Sequence, residues 1–473
     1  MAKRPNILFF LTDDLRYDCV HALGLNDQIK TPNLDKLFAE STTFRNAHIP
    51  GGTLAAVCMP SRAMINTGRN IFHLQEQGNS VPEEHPLLGE TLERAGYFTF
   101  GTGKWHNGPR SYARSFDDGD EIFFGGMYDH WKVPTNHFDP TGQYATRWFE
   151  CMDPCYSRYT SERIADHVSF GKHSTDLFSD VMIDFLKNYH GDKPFYGYLA
   201  FMAPHDPRTM PKKYLEMYDL DKIELPPNFM TEHPFDYGIN IVRDEILCKM
   251  PRDPQEIKEE IQTYYAMVTH ADEAIGRVLD ALRESGEYDN TIIIFSSDNG
   301  LAVGQHSLLG KQSCYEHSIR VPLMMAGPGI PRGQVVDSYV YLMDIFPTIC
   351  DMIGEKIPEG VDGISFAHLF ERPEERTREY LFSLFGDKVR SIKDYRYKLI
   401  EYKYADMRKT QLFDLEKDPW ELNDLSYDKN AYDKIYELRD KLKATALEWD
   451  DLESPEGDRF WHEYQRVEIE PEG

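Results

Sequence analysis

Four short apolar runs, widely separated along the chain, restrict the fold more than any other feature of the sequence. They are rich in β-branched and aromatic residues and do not simply alternate with polar ones, a pattern typical of parallel strands buried on both faces. The runs cover residues 6–11, 99–100, 195–201 and 291–295. Helical patterns with one apolar face lie between them, and this alternation of strands and helices predicts an α/β fold.

Polar or charged residues follow each of these runs within a few positions. They are carboxylates, an amide, a lysine and histidines: Asp13, Asp14, Lys104, His106, His205, Asp206, Asp298 and Asn299. In open α/β sheets, ligands bind just beyond the carboxyl ends of the strands. We therefore expect these side chains to meet at one edge of the sheet.

Four of these residues form two sets of oxygen donors. Asp13 with Asp14, and Asp298 with Asn299, offer the ligands that calcium or magnesium prefers, whereas zinc prefers nitrogen and sulfur. One such set could simply cap a helix that follows a strand. Two sets at the ends of two buried strands favour a metal site.

The overall charge excludes some classes of function. Lys plus Arg is 52 and Asp plus Glu is 79, so the formal net charge is −27. Such a chain has no basic surplus for binding nucleic acid or an anionic membrane, although a local cationic pocket could still bind a small anion. No apolar run approaches the roughly 20 residues of a membrane span, so we expect no membrane insertion. The seven cysteines are too few and too scattered for a disulfide scaffold.

The sequence pattern changes after about residue 370. A charged, proline-containing joint at 372–376 precedes short strand-like segments and a final helix at about 432–449. We predict a catalytic domain at 1–372 and a smaller α+β subdomain, with an antiparallel sheet, at 373–473. The segments 117–170 and 220–254 have no regular pattern and are predicted to be long loops.

The segment Cys58-Met59-Pro60-Ser61-Arg62 resembles the Cys-x-Pro-Ser-Arg signature of the type I, formylglycine-dependent sulfatases of the alkaline-phosphatase-like superfamily. Further elements similar to that family follow in the same order over most of the first 330 residues. They are the two metal sets, the Gly-Lys-Trp-His element ending at His106, the Pro-His pair ending at His205, and the segment from Gly304 to Lys311. The resemblance implies a large mixed, mostly parallel sheet between layers of helices.

The resemblance also implies an activity and roles for individual residues. The chain is expected to be a sulfuric ester hydrolase in which a formylglycine-generating enzyme converts Cys58 to formylglycine (3-oxoalanine), whose hydrate is the nucleophile. Calcium, or magnesium in its place, is expected on Asp13, Asp14, Asp298, Asn299 and the modified Cys58. Arg62 would hold the hydrate, Lys104 and Lys311 would bind sulfate oxygens, His106 would take a proton from the hydrate, and His205 would protonate the departing alcohol.

The alcohol part of the substrate is less well specified by the sequence. We expect a sulfated carbohydrate, such as ulvan, carrageenan or fucan fragments or glycosaminoglycan fragments, with choline sulfate or an aryl sulfate as alternatives. Residues that could line its pocket are His306, Trp105, Arg110, Asp206, Arg208 and His317, with His130, Trp131 and His137.

Two competing hypotheses about function stay open at this point. One is a phosphonate or phosphate ester hydrolase of the same superfamily, and the other is a sulfoglycan-binding protein whose Cys58 is never converted. The native protein is expected to be periplasmic or secreted if a signal has been removed, and cytoplasmic if the chain is complete. The sequence leaves the oligomeric state open.

Overall fold

The computed structural model describes residues 4–144, 147–151, 160–462 and 464. In chain order, its strands are β1 (Asn6–Asp13), β2 (Thr42–His48), β3 (Gly51–Gly52), β4 (Phe98–Lys104), β5 (Asp118–Phe123), β6 (Lys132–Thr135), β7 (Arg147–Cys151), β8 (Thr160–Ile164), β9 (His167–Phe170), β10 (Phe195–Pro204), β11 (Thr291–Ser297), β12 (Leu323–Ala326), β13 (Gln334–Tyr341), β14 (Leu381–Phe385), β15 (Val389–Lys393), β16 (Tyr397–Tyr404) and β17 (Met407–Asp414).

The α-helices of the described residues alternate with these strands. They are α1 (Pro32–Glu40), α2 (Cys58–Thr67), α3 (Leu88–Arg94), α4 (Pro109–Ser115), α5 (Ser174–Asn188), α6 (Lys212–Leu215), α7 (Pro254–Glu284), α8 (Glu316–Ile319), α9 (Ile345–Ile353), α10 (Tyr432–Glu448) and α11 (Pro455–Trp461). Among the helices of the described residues, none combines the length and the apolarity that crossing a membrane requires.

An eight-stranded sheet forms the centre of the molecule, in the order β13-β2-β12-β11-β1-β10-β4-β5. Strand β12 runs antiparallel to both of its neighbours, and the other pairings that the structure describes in this sheet are parallel. The four apolar runs of the sequence are the adjacent central strands β11, β1, β10 and β4. The prediction of a mixed, mostly parallel sheet is confirmed.

Helices cover both faces of this sheet, which explains why its central strands are apolar without alternation. Successive side chains of a strand point to opposite faces. Leu8 and Phe10 of β1 therefore join a core with α5 and α7. Ile7 and Phe9 join a second core with α3 and α9 on the other side.

A second, five-stranded sheet has the order β17-β16-β15-β14-β3. Strands β14 to β17 pair antiparallel, as predicted for the C-terminal α+β part, and α10 packs its apolar side chains against them. Strand β3, however, comes from the N-terminal part and pairs with β14 in parallel. The division at residue 372 therefore stays a prediction, since β3 crosses it.

Buried charges also join the C-terminal sheet to α8. Lys393 of β15 donates to Glu316 Oε1 at 2.7 Å, and Lys398 of β16 donates to Glu316 Oε1 at 3.1 Å and to Glu421 Oε1 at 2.7 Å. All four side chains are buried. Because an unpaired buried charge is costly, this cluster holds α8 against the C-terminal sheet.

The two segments predicted to be long loops differ in the structure. The prediction for 117–170 is wrong in part, because β5 lies at the edge of the large sheet and β6 pairs with β9. Its glycines and aromatic residues hid these short strands. The prediction for 220–254 is confirmed, since that segment contains only 3₁₀ turns before α7 begins.

The close contact between β3 and β14 generates a stability prediction. Gly51 has φ +99°, and a Cβ there would lie 2.0 Å from the carbonyl oxygen of Leu384. Gly96 has a similar φ of +92° but open space around the same position. We expect Gly96→Ala to cost about 1 kcal/mol, from its backbone conformation alone. We expect Gly51→Ala to cost roughly 1–3 kcal/mol more, because a strand backbone cannot rotate away.

Thermal unfolding of the two variants beside the parent protein measures this difference. A larger drop in Tm for Gly51→Ala than for Gly96→Ala is the expected result. Equal drops would show that β3 can separate from β14 without loss of stability.

Candidate active site

The carboxyl ends of four adjacent strands place the polar residues at one edge of the large sheet. Asp13 is the last residue of β1 and Lys104 the last of β4, while His205 follows β10 and Asp298 follows β11. All four side chains are buried. The structure thus brings together the residues that the apolar runs of the sequence predicted to meet.

Cys58 joins this group from the first turn of α2. One donor atom each from Asp13, Cys58 and Asp298 lie within 4.8 Å of one another. The Cys58 sulfur is 3.6 Å from Lys104 Nζ and 3.6 Å from His106 Nδ1. A helix N-terminus carries partial positive charge, so Cys58 occupies a position suited to an anion.

Arg62 ties the Cys58 helix to two of the strands. Its Nε donates to Asp298 Oδ2 at 2.7 Å, and its Nη1 donates to the carbonyl oxygen of Lys104 at 2.7 Å. Both members of the Arg62–Asp298 ion pair are fully buried. Burial lowers the pKa of Arg62, but the carboxylates of Asp298 and Asp13 raise this pKa by more than burial lowers it, so the guanidinium stays charged.

A second group of contacts holds the two sets of oxygen donors, Asp13 with Asp14 and Asp298 with Asn299. Asp14 has φ +69°, and its Oδ1 accepts from Lys311 Nζ at 2.6 Å and from Asn299 Nδ2 at 2.6 Å. Its backbone N–H donates to Asp298 Oδ1 at 3.1 Å. Lys104 donates to Asp13 Oδ2 in the same way that Lys311 donates to Asp14. Each carboxylate of the N-terminal pair therefore has a lysine beside it.

Two buried oxygens of this group have no donor among the described residues. They are Asp13 Oδ1 and Asn299 Oδ1. A buried polar atom without a partner is costly, and oxygen atoms left in this way are the ligands that a hard cation takes. The donor set therefore fits calcium or magnesium.

The two histidines have opposite electrostatic surroundings. Burial, followed by the positive charges of Lys104 and Arg62, lowers the pKa of His106 well below its usual value. Burial and Lys311 lower the pKa of His205 too, but nearby carboxylates, Asp14 foremost, outweigh them and raise it. His106 is therefore suited to accept a proton and His205 to donate one.

Several residues expected to line a sugar pocket are occupied elsewhere. Trp105 is fully buried among aromatic rings and donates to Ser111 Oγ at 2.8 Å, so the prediction that it contacts a sugar is corrected. The Arg208 side chain is mostly buried and pairs with Glu260. Asp206 forms a two-point ion pair with Arg243.

His306 and His317 also contact other residues of the protein. The ring of His306 stacks on Tyr315 with centroids 3.9 Å apart, and its Nε2 lies 3.0 Å from the carbonyl oxygen of Glu421. His317 is buried, with Nδ1 2.8 Å from Ser318 Oγ. Burial lowers the pKa of both rings. These contacts indicate supporting roles for the two histidines.

Other candidates are divided between the interior and the surface. His130 is buried, and its Nε2 lies 3.0 Å from the carbonyl oxygen of His205. Trp131 is half-buried, whereas His137 is exposed and pairs with Asp120. Arg110 is exposed in a groove of about 1220 Å³ that Asn107 also lines.

Sequence reasoning missed two residues that contact the neighbours of His205 and Lys311. Arg243 and Asp244 lie in an irregular segment, and Asp244 accepts from Gln312 Nε2 at 2.7 Å beside Lys311. No periodic pattern or motif marks these positions. A charged run inside an irregular segment was the only available signal.

Comparisons with known proteins agree with this geometry. The sulfatase family model matches residues 5–355, and the model of the N-sulphoglucosamine sulphohydrolase C-terminal region matches residues 304–448. An arylsulfatase of Clostridium perfringens is 31% identical, over 94% of this chain and 95% of its own length. An ulvan-active sulfatase of Formosa agariphila is 29% identical, over 93% of this chain and 83% of its own length.

A solved structure has the same fold over nearly the whole chain. It is a complex of a protein with its substrate D-glucosamine-2-N,6-O-disulfate, with a TM-score of 0.77 and 24% identity. The match covers 96% of this chain and 99% of that one. The family model alone covers about three quarters of this chain and includes every strand end that forms the site, so the chain belongs to the sulfatase family and is a sulfuric ester hydrolase.

Proposed function

We propose that this hydrolase removes sulfate from a sulfated carbohydrate, using calcium and a formylglycine made from Cys58. The observation that carries the proposal is the buried meeting point of Cys58 with two lysines and a set of oxygen donors. Two of those oxygens, Asp13 Oδ1 and Asn299 Oδ1, have no donor among the described residues.

Calcium is the ion that best fits the donors. Asp13, Asp14, Asp298 and Asn299 would hold it, since they supply three carboxylates and one amide oxygen and no soft ligand. When bound, the ion would polarise a sulfate oxygen as a Lewis acid. The resemblance to the type I sulfatases favours calcium over magnesium.

The surroundings of Cys58 disfavour an unmodified thiolate as the nucleophile. Burial raises the pKa of the Cys58 thiol to about 11, even though Lys104 and Lys311 lower it. At neutral pH the thiol is therefore protonated and a poor nucleophile. Formylglycine supplies instead a hydrated aldehyde, whose hydroxyl can attack sulfur. A formylglycine-generating enzyme would carry out this conversion before the protein becomes active.

The remaining residues bind the anion and move protons. Lys104 and Lys311, both buried beside Cys58, would neutralise sulfate oxygens as point charges. His106, which lies 3.6 Å from the Cys58 sulfur, would accept the proton of the hydroxyl that remains on the sulfated hydrate, so that the C–O bond to sulfate breaks, sulfate leaves and the aldehyde re-forms. His205 would give its proton to the alcohol oxygen that departs.

A polar groove beside the site favours a carbohydrate. Asn107, which lines the groove of about 1220 Å³, donates to the carbonyl oxygen of Met59 at 2.9 Å, next to Cys58. Arg110, Thr141 and Gln143 line the same groove and offer hydrogen bonds of the kind that sugar hydroxyls accept or donate. The relative named for ulvan, an algal polysaccharide, supports the same substrate class.

Metal removal tests the calcium assignment. We expect EGTA to abolish turnover and lower Tm, and calcium to restore both, because an ion that binds only the folded protein stabilises it. At 100 times its Kd the gain is about 2.7 kcal/mol. Asp13→Asn should lose the calcium-dependent rise in Tm, whereas the control Asp120→Asn, whose side chain is 45% exposed and pairs with His137, should keep it. A parent protein whose Tm does not respond to calcium would contradict the assignment.

A substrate screen tests the proposed class. Defined sulfated oligosaccharides from algal polysaccharides and glycosaminoglycans are compared with 4-nitrophenyl sulfate and 4-nitrophenyl phosphate, and Cys58→Ala serves as the inactive control. We expect at least one oligosaccharide to exceed the aryl sulfate in kcat/KM. Arg110→Ala should raise KM about 5- to 50-fold for that oligosaccharide only, because it removes one charged contact in the groove.

The matched control for this screen is Arg332→Ala, which removes another exposed arginine that lies outside the groove. Arg332→Ala should leave KM unchanged for both the oligosaccharide and the aryl sulfate. A clear preference for the phosphate ester would contradict the sulfatase assignment. A preference for aryl sulfate over every oligosaccharide would contradict only the carbohydrate.

A further inference from the structure

His205 has one ring nitrogen committed to its neighbour in the chain. Its Nδ1 lies 2.9 Å from the carbonyl oxygen of Asp206 and 3.2 Å from Asp206 Oδ1. Both are acceptors, so Nδ1 carries a hydrogen and donates it. The other nitrogen, Nε2, then faces the pocket, 3.6 Å from Asp14 Oδ2.

Arg243 in turn fixes the Asp206 carboxylate. Its Nη1 donates to Asp206 Oδ1 at 2.6 Å, and its Nη2 donates to Asp206 Oδ2. A two-point arginine–carboxylate pair restricts the carboxylate more strongly than a single contact does. Both carboxylate oxygens of Asp206 therefore already accept hydrogen bonds from Arg243.

The segment that carries Arg243 is anchored to the loop that carries Lys311. Glu245 is buried and accepts from the backbone N–H groups of Leu309 and Gly310, at 3.0 and 2.8 Å to its nearer oxygens. Arg252 Nη2 donates to the same carboxylate at 2.5 Å. The backbone that carries Arg243 is therefore anchored, although the Arg243 side chain is 42% exposed.

We propose that Asp206 and Arg243 form a positioning pair that holds the His205 ring with Nε2 directed at the departing alcohol oxygen. This inference rests on the acid role proposed above for His205. Neither residue touches the reacting atoms. Arg243 fixes Asp206, Asp206 fixes Nδ1, and His205 transfers the proton.

The physical reason is that an imidazole ring can turn about its bond to Cβ and exchange the places of its two edges. Delivery of a proton depends strongly on geometry, and a displacement of about 1 Å can cost a factor of 100 in rate. The effect of losing the pair should depend on the substrate. An alcohol that departs easily needs little protonation, whereas a poor leaving group depends on it.

The experiment measures kcat and KM over a series of aryl sulfates whose phenols range from acidic to weakly acidic. The variants are Arg243→Met, Asp206→Asn and their double variant, with Arg243→Lys as the conservative change. His205→Ala is the reference for complete loss of the acid. Arg283→Met is the matched control, because its side chain is 39% exposed and pairs with Asp280 far from the site along α7.

For Arg243→Met and Asp206→Asn we expect kcat on the ester of the least acidic phenol to fall about 10- to 100-fold. On the most acidic phenol the change should be about 3-fold or less, and KM should move little in either case. Arg243→Lys should lie between the parent and Arg243→Met. The double variant should be no worse than the more damaging single one, since the two residues act as a unit. Arg283→Met should match the parent.

Equal losses across the series for Arg243→Met, or no loss, would overturn the positioning role. So would additive effects in the double variant. If His205→Ala itself loses activity equally on all esters, the acid role of His205 fails. A steep leaving-group dependence for His205→Ala with a flat one for both pair variants overturns the positioning inference alone.

Discussion

The buried ion pair between Arg62 and Asp298 is the contact on which the site depends. It joins the helix that begins at Cys58 to the end of β11, and the same guanidinium reaches the last residue of β4 through the Lys104 carbonyl. Neither charge has access to solvent. Removing one partner of such a pair typically costs about 3–5 kcal/mol, because the other is left buried and uncompensated. The position of Cys58 is therefore fixed relative to the strand ends.

Each carboxylate around this pair has a cation beside it, and the oxygens that still lack a donor favour a bound metal ion. Lys104 pairs with Asp13 and Lys311 with Asp14, so each lysine lies beside a carboxylate. What is left without a partner in the described residues includes one oxygen of Asp13 and one of Asn299. In the proposed function, the lysines that would bind the anion and the oxygens that would bind the cation are in contact. That combination suits an enzyme that must hold sulfate against a metal ion.

Much of this could be predicted from the sequence, because the relevant patterns are local. Buried parallel strands are continuous apolar runs, and the residues after β1 and β11 must lie at one edge whatever the details of the loops. The loops themselves follow no such rule. Trp105 belongs to a motif of the family, yet its ring points into the core. Arg243 carries no motif at all, and only its two-point contact with Asp206 reveals it.

The C-terminal part illustrates the same limit. Its antiparallel strands were predictable from short apolar segments, but the pairing of Gly51 with Leu384 joins residues more than 300 positions apart. The buried charges of Glu316 and Lys393 likewise meet only in the folded chain. Contacts between residues so far apart in the sequence depend on the whole topology, which local patterns do not encode.

The proposed mechanism requires a converted Cys58 for turnover. The most direct test is the intact mass of the active protein, with the peptide that contains residue 58 sequenced and the converted fraction compared with specific activity over several preparations. We expect a loss of about 18 Da at residue 58, the covalent change from cysteine to formylglycine, and activity proportional to the converted fraction. A fully active preparation with an unmodified Cys58 would contradict it.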